Sequence, residues 1–241
     1  MKQSDNLIEV KDLSIAFPNQ NTINTVVDSI SFSIKHGEIL GVVGESGSGK
    51  SQTALSLMGL CPPNAIISNK KSINFFSSSE SAPIQLLSLP AKQLQKIRGK
   101  DISMIFQEPM TSLNPVQKCG QQVAEILKIH NICKNATNRV LELFDEVQLP
   151  NPQKIYNSYP HQISGGQRQR VMISMALACN PKLLIADEPT TALDVTVQKS
   201  ILKLLRTLQK THKMSVLFIT HDLGVISEIS DRVIVMYKGK I

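Results

Sequence analysis

Short apolar segments alternate along the chain with segments whose apolar residues recur every three or four positions. The apolar segments predict buried strands at Ile39–Val43, Ile102–Phe106, Leu183–Ala186, Ser215–Thr220 and Val233–Tyr237. Strands that are apolar on both faces are typical of a parallel sheet covered by helices. The i, i+3, i+4, i+7 spacing predicts amphipathic helices through Val123, Ile126, Leu127 and His130; through Val140, Leu143, Phe144 and Val147; and through Ile201, Leu204, Leu205 and Leu208. The alternation predicts an α/β fold.

Three regions depart from this alternation. Residues 8–17 and 26–34 carry partial period-2 patterns on either side of a polar segment, which predicts a small antiparallel β layer at the N-terminus. Residues 68–100 are polar, with serines at 77–81, and predict a surface excursion. Residues 111–162 contain helical patterns but no buried strand, and predict an inserted helical subdomain.

Composition bounds the class of protein. With 241 residues, 41% of them hydrophobic and 19% charged, the chain can form one large domain or a core with an insertion. The four cysteines occur singly and indicate reduced thiols rather than a metal site, and neither a signal peptide nor a stretch long enough to span a bilayer is evident, so we expect a cytosolic protein. The net charge of +7 suits nucleic acid, an anionic membrane or phosphate ligands, whereas the absence of Trp disfavours a single-strand stacking platform.

A phosphate-binding loop follows the first apolar strand. The segment GESGSGKS fits G-x-x-x-x-G-K-[ST] between a strand and a helix, and comprises Gly44, Glu45, Ser46, Gly47, Ser48, Gly49, Lys50 and Ser51, with Gln52 next. Its backbone N–H groups would face a phosphate, Lys50 would reach the β and γ oxygens, and Ser51 would ligate Mg²⁺. The alternative is a glycine turn with a solvated lysine.

An acidic pair ends the third apolar strand. Asp187 and Glu188 close the segment LLIADE, and ligands of open α/β sheets bind at the carboxyl ends of strands. Asp187 is expected to hold Mg²⁺ through water, and Glu188 to polarise the attacking water or act as general base. A helix cap or a solvated turn is the structural alternative.

A second glycine turn opens another helix at ISGGQ, which includes Ser164, Gly165, Gly166 and Gln167. A helix N-terminus favours anions. Because the phosphate loop already supplies one phosphate-binding site, this second helix start suggests binding to the nucleotide of another subunit. The alternative is a helix cap with Ser164 as the capping residue.

With these motifs the sequence resembles the nucleotide-binding subunits of ABC transporters over essentially its whole length, with Ile163 in place of the usual signature leucine. The resemblance implies that Phe17 stacks on adenine, with Phe32 as the fallback, and that Gln107 is the Q-loop glutamine. It also implies a D-loop at Ala192-Leu193-Asp194 and a switch histidine at His221. Core positions for Phe17 and His221 are the alternatives.

The resemblance implies an ATPase with a RecA-like P-loop NTPase core and a head-to-tail dimer that uses ATP and Mg²⁺. Its catalytic residues would be Glu188, His221, Gln107 and Lys50, and Mg²⁺ would be held by Ser51, Gln107 and Asp187. The expected organisation is a single domain over 1–241, with a catalytic core in 1–110 and 164–241 and a helical subdomain at about 111–163.

The strings FQEPMTSLNP and YPHQISGGQRQRVMISMALA resemble the dipeptide, oligopeptide and nickel importers. This implies a second ATPase subunit, identical or related, membrane permease subunits, an extracytoplasmic binding protein and a place at the cytoplasmic face of the inner membrane. No nucleic acid is expected. The alternatives are import of nickel or another small solute, a non-transport ABC ATPase acting on nucleic acid, and a P-loop kinase or GTPase. Because the chain stops inside a strand-turn-strand pattern, we also expect a longer native C-terminus.

Overall fold

The computed structural model describes residues 5–19, 22–77, 82–107, 112–191 and 193–241. Several predicted segments lie partly outside these ranges. They are the polar segment at 20–21, the serine-rich patch at 78–81, positions 108–111 of FQEPMTSLNP, where the helical subdomain was expected to begin, and Ala192 of the D-loop. The chain divides into two units, unit 1 with residues 1–98 and 214–241 and unit 2 with residues 99–213.

Unit 1 contains an antiparallel sheet. Strands β1 (Asn6–Asn19) and β2 (Thr22–Lys35) pair over almost their whole length, as the N-terminal pattern predicted. Strand β5 pairs with the other side of β1, and β6 follows it in the order β2-β1-β5-β6, with β4 also on β1. The smaller elements are α1 (Lys50–Leu57), β4 (Ile66–Ile67), β5 (Ile73–Phe75), β6 (Ile84–Gln85) and α2 (Ala91–Ile97).

A parallel sheet in the same unit carries the phosphate loop. Strand β3 (Ile39–Gly44) lies between β9 (Ser215–Thr220) and β10 (Arg232–Met236), and α8 (Leu223–Ile229) connects the last two. Five of the six residues of β3 are buried, as the apolar run predicts for a central parallel strand. The loop therefore starts from a rigid part of the core.

Unit 2 holds a parallel strand pair and most of the long helices. Strand β7 (Ile102–Ile105) pairs with β8 (Leu183–Asp187). The helices are α3 (Cys119–Ile129), α4 (Ala136–Glu146), α5 (Pro152–Asn157), α6 (Gly165–Leu177) and α7 (Val195–His212). Buried apolar residues of α3, α4 and α7 fall on the predicted 3.6-residue faces. The predicted α/β class is confirmed, whereas the boundaries at 111 and 163 stay a prediction.

Two sequence-based expectations are wrong in detail. Residues 68–100 are not only a surface excursion, because Ile73 and Phe75 are fully buried in β5, a strand too short to show a pattern. The last strand is not buried on both faces: Val233 and Val235, two residues apart and so on one face, are 41% and 59% exposed. Strand β10 comes at the end of the order β10-β3-β9, so it pairs with β3 along one edge.

In the part of the chain that the structure describes, no helix is both long and apolar enough to cross a membrane.

Candidate nucleotide site

The phosphate loop joins the end of β3 to the start of α1 in unit 1. Its tip, Glu45 to Gly47, is exposed, whereas Ser48 and Lys50 are only 3% and 5% exposed. A lysine is almost never this buried unless its charge is paired or hydrogen-bonded. The alternative of a solvated lysine in a glycine turn is therefore excluded.

The ammonium of Lys50 is directed back into the loop. Its Nζ donates to the carbonyl oxygens of Gly44 at 2.8 Å and Glu45 at 2.9 Å. An ammonium has three N–H donors, so two bonds hold it in place and one donor remains for a ligand. This arrangement suits a lysine that presents positive charge to an anion above the loop.

Gly49 is required by the backbone where the loop enters α1. It caps the helix with φ +99° and ψ +1°, a conformation that L side chains rarely adopt. A Cβ here would also lie 2.7 Å from the carbonyl oxygen of Val26. The glycine thus lets the loop pack against β2 while the first N–H groups of α1 face outward.

Polar atoms of the loop fit a polar ligand. The buried Oγ of Ser48 and Oε1 of Gln52 have no hydrogen-bond partner among the residues that the structure describes. An unsatisfied buried group of this kind costs about 1–3 kcal/mol. The hydroxyl of Ser51, one position before Gln52, is half-buried and therefore accessible to a ligand.

His221 and Phe17 are also in unit 1. His221 directly follows β9 and is exposed, so it is not a buried core histidine. The backbone on either side of it is fixed, because Asp222 donates its N–H to Thr220 Oγ1 and accepts from Gly224 N–H at 2.7 Å. Phe17 lies on β1, half-buried, whereas Phe32 is buried, so Phe17 has the more accessible ring.

Unit 2 places the acidic pair at the end of β8. Asp187 is the last residue of the strand and is 4% exposed; Glu188 is half-buried. Glu188 has φ +47°, in the left-handed region. Residues held there cost on the order of 1–3 kcal/mol. Eight other non-glycine residues in the described part of the chain also adopt this conformation, so it does not by itself separate the acidic pair from an ordinary turn.

Two side chains hold the carboxylate of Glu188. Gln107, just after β7, donates from Nε2 to Glu188 Oε2 at 3.2 Å. The hydroxyl of Thr191 donates to the same oxygen at 3.0 Å. A carboxylate fixed by two donors is oriented for proton transfer. Sequence reasoning missed Thr191, because a threonine three residues after a glutamate is too common a combination to mark a contact.

Oxygen atoms of the kind that Mg²⁺ prefers occur in each unit. Unit 1 offers the hydroxyl of Ser51, and unit 2 offers the carboxylate of Asp187 and the amide of Gln107. Within the described residues no group of three or more His, Cys, Asp or Glu forms a cage.

The glycine pair of ISGGQ begins α6 in unit 2. Ser164 caps the helix in a capping box: its Oγ accepts from Gln167 N–H at 3.3 Å, and Gln167 Oε1 accepts from Ser164 N–H at 3.0 Å. The cap predicted as the structural alternative is therefore present. It uses one N–H of the first turn of α6, and those of Gly165 and Gly166 remain at the exposed helix start.

The start of α7 lies beside the start of α6. Asp194 caps α7, with Oδ1 accepting from Val197 N–H at 2.9 Å. A cavity of about 500 Å³ in unit 2 is lined by both helix starts, including Ser164, Gly166 and Asp194. Unit 2 thus brings together the signature residues and the described part of the D-loop.

A phosphate loop after a buried parallel strand, with an acidic pair at the end of another strand, defines a P-loop nucleotide-binding protein. The family model described as ABC transporter matches residues 27–191. The chain belongs to this family and is one of its ATP-binding cassettes.

Known proteins agree with this assignment. The chain is 52% identical over 98% of its length to the peptidoglycan transport ATP-binding protein YejF of Agrobacterium fabrum, of which it covers 42%. It is 48% identical to the oligopeptide transport ATP-binding protein OppD of Escherichia coli, over 99% of this chain and 69% of that protein. It thus spans from about two fifths to two thirds of these relatives. In a dimeric structure, the bacterial ABC transporter cassette MJ0796 superposes with a TM-score of 0.79 at 28% identity, over 97% of this chain and 96% of that one. The predicted ABC cassette fold is confirmed.

Proposed function

We propose that the chain is the ATP-hydrolysing part of a bacterial importer that powers uptake of peptides through separate membrane permease subunits. The similarity to an oligopeptide transport protein supports the peptide substrate, and family membership supports the ATPase. Its place would be peripheral, at the cytoplasmic face of the inner membrane.

Glu188 carries the proposal of hydrolysis. Its carboxylate is oriented by Gln107 and Thr191 on a strained backbone, and it takes the proton of the attacking water as general base. Lys50 and the N–H groups of the loop bind the β- and γ-phosphates. His221 contacts the γ-phosphate, and Phe17 stacks on adenine.

Mg²⁺, when bound, neutralises charge on the phosphate oxygens. Ser51, Asp187 and Gln107 are the residues proposed to hold it. Gln107 can do so through Oε1, since its Nε2 is the atom that binds Glu188. Gln107 would thus contact the Mg²⁺ that accompanies the nucleotide and the catalytic carboxylate of Glu188 at the same time.

The signature residues act on a second subunit. Ser164, Gly165, Gly166 and Gln167, together with Asp194, complete the phosphate shell of ATP bound by a partner cassette, identical or related, in a head-to-tail dimer. The exposed helix start with its N–H groups supports this role. A dimer also occurs in the related cassette MJ0796. Opening and closing of the dimer would drive the permease, and an extracytoplasmic binding protein would supply the peptide.

Hydrolysis is tested with the full-length protein and Glu188→Gln. We expect turnover to fall at least about 100-fold, as on removal of a general base, while ATP affinity stays within a few-fold. Glu142→Gln is the matched control, because Glu142 is an exposed glutamate of unit 2 whose removal should leave turnover unchanged. Normal turnover in Glu188→Gln would refute the assignment.

The transport role is tested by co-purification of the full-length protein with membrane permease subunits, and separately with duplex DNA and ribosomes. Reconstituted complexes are then supplied with labelled oligopeptide or Ni²⁺. ATP-dependent uptake of peptide is the expected result. Recovery only with DNA or ribosomes would refute the transporter function, and uptake of Ni²⁺ alone would refute the peptide substrate.

A further inference from the structure

Arg170 joins three helices of unit 2. It lies on α6, and its Nη1 donates to the carbonyl oxygen of Val147, the residue that ends α4. Its Nη2 donates to the Oγ of Ser200 on α7 at 2.8 Å. Carbonyls at a helix C-terminus carry partial negative charge, so a guanidinium is stabilised there. Burial lowers the pKa of this arginine, because its guanidinium is partly withdrawn from water.

The bond between Arg170 and Ser200 has a particular place in the two helices. Arg170 lies six residues beyond the capping residue Ser164, and Ser200 lies six residues beyond the capping residue Asp194. At 1.5 Å per residue, each is about 9 Å along its helix from the cap. A bond at the same level of both helices sets the relative height of the two helix starts.

The same cavity connects this bond to the proposed nucleotide contacts. Arg170 and Ser200 line the cavity of about 500 Å³ whose other walls include Ser164, Gly166 and Asp194. A shift of α6 against α7 would therefore move the signature residues relative to the D-loop. Displacements of 1 Å at positions remote from the chemistry can cost about 100-fold in rate.

We propose that Arg170 is a positioning residue for ATP hydrolysis. Its hydrogen bonds fix the position of the start of α6 relative to the start of α7 and to the end of α4. This rests on the proposed function, because it acts through the signature contact with the partner cassette's nucleotide. Arg170 acts through the start of α6, whose N–H groups are the ones proposed to contact the nucleotide.

The kinetic test uses full-length Arg170→Ala, Arg170→Lys and Ser200→Ala at a temperature where each is folded. We expect Arg170→Ala to lower kcat roughly tenfold with KM within about twofold, since the chain's own phosphate loop is untouched. Lysine lacks the planar fork that serves two acceptors, so Arg170→Lys should recover only part of kcat. Ser200→Ala should lower kcat by about two- to threefold.

Arg139→Ala is the control for loss of an arginine. Arg139 pairs with Glu142 and Glu146 within α4 and does not line the cavity. It should lower the melting temperature but leave kcat within twofold. An equal fall of kcat in Arg139→Ala, or an unchanged kcat in Arg170→Ala, would overturn the proposal and leave Arg170 a stabilising residue only.

Hydrogen exchange gives a readout that does not depend on turnover. The capped N–H groups of Gln167 and Val197 should exchange several-fold faster in Arg170→Ala and not in Arg139→Ala; equal rates would overturn the proposal. If Arg170→Ala does not fold, Arg170→Lys and Ser200→Ala decide by the same criteria. Wild-type turnover no higher than that of Glu188→Gln would refute the proposed function and this inference with it, whereas active wild type with unaffected Arg170 variants refutes only the inference.

Discussion

Gly166 allows α6 to approach α7 more closely than any other residue type would. A Cβ at this position would lie 2.9 Å from Cγ1 of Val197. Carbon atoms pack at about 3.5–4.0 Å, so Gly166→Ala requires a separation larger by at least about 0.6 Å. Val197 cannot simply rotate its methyl group away, because β-branched residues in helices have one strongly preferred rotamer.

The expected cost follows from this overlap. Overpacking by one methyl group costs about 1–3 kcal/mol. Alanine has a better helix propensity than glycine by up to about 1 kcal/mol, which offsets part of that cost. With the full propensity gain subtracted, the net loss in free energy of unfolding should be about 0–2 kcal/mol. Val197→Ala removes both γ carbons, so the double variant Gly166→Ala/Val197→Ala should recover the stability that Gly166→Ala loses through this overlap.

The assay is a double-mutant cycle measured by urea denaturation. The double variant should be more stable than the sum of the single losses predicts, by about 1 kcal/mol or more. Gly165→Ala is the matched control, since a Cβ there meets Leu193 Cδ2 only at 3.9 Å, an ordinary contact. It should leave the free energy of unfolding unchanged or raise it by up to about 1 kcal/mol, because alanine has the better helix propensity. Additive losses, or a Gly166→Ala protein as stable as the Gly165→Ala protein, would refute the close-approach argument.

Two further predictions concern thiols and an ion pair. Burial raises the pKa of the Cys119 and Cys179 thiols to about 11, so at pH 8 only about one molecule in a thousand carries either thiolate. Iodoacetamide should alkylate the exposed Cys133 first. The reaction rates of Cys119 and Cys179 should rise about tenfold per pH unit up to pH 10. Mass spectrometry that shows Cys179 modified as fast as Cys133 would contradict this. Arg232 donates to both carboxylate oxygens of the buried Glu38 at 2.7 and 3.1 Å, and Arg232→Ala should lower the free energy of unfolding by about 1–3 kcal/mol. Urea denaturation measures this loss in free energy of unfolding, with Arg232→Lys as the comparison. A loss below about 0.5 kcal/mol would show that the guanidinium of Arg232 does not hold β10 to the start of β3.

The central strands were predictable from sequence because their burial is a local property of composition. The observed β3, β8 and β9 agree with the predicted apolar runs to within one residue at each end. The short strand β5 was not predictable, since Ile73 and Phe75 offer only one period of alternation and depend on pairing with β1. Burial that arises from a distant partner leaves no local pattern.

The candidate site likewise contains features that could be predicted from the sequence and features that could not. Lys50 lies in a motif of recognisable spacing, and Glu188 in an acidic pair at the end of an apolar strand, so both could be predicted as site residues from the sequence. The left-handed backbone of Glu188, its bond to Thr191 and the bridging contacts of Arg170 depend on how segments fold together. None of these three features requires a residue type that is unusual for its position, so sequence reasoning had no signal for them.

The two glycines of the signature illustrate how structure separates packing from binding. Both were assigned to an anion-binding helix start from sequence alone. Gly166 is required by packing, because Val197 occupies the place of its Cβ. No such contact requires Gly165, whose Cβ would meet only an ordinary neighbour at 3.9 Å. A glycine at a helix start lowers helix propensity by up to about 1 kcal/mol relative to alanine, so Gly165 carries a cost that packing within the described chain does not offset. The close approach of a ligand to the exposed N–H groups would offset it, which makes Gly165 the stronger of the two indications that this helix start binds a phosphate.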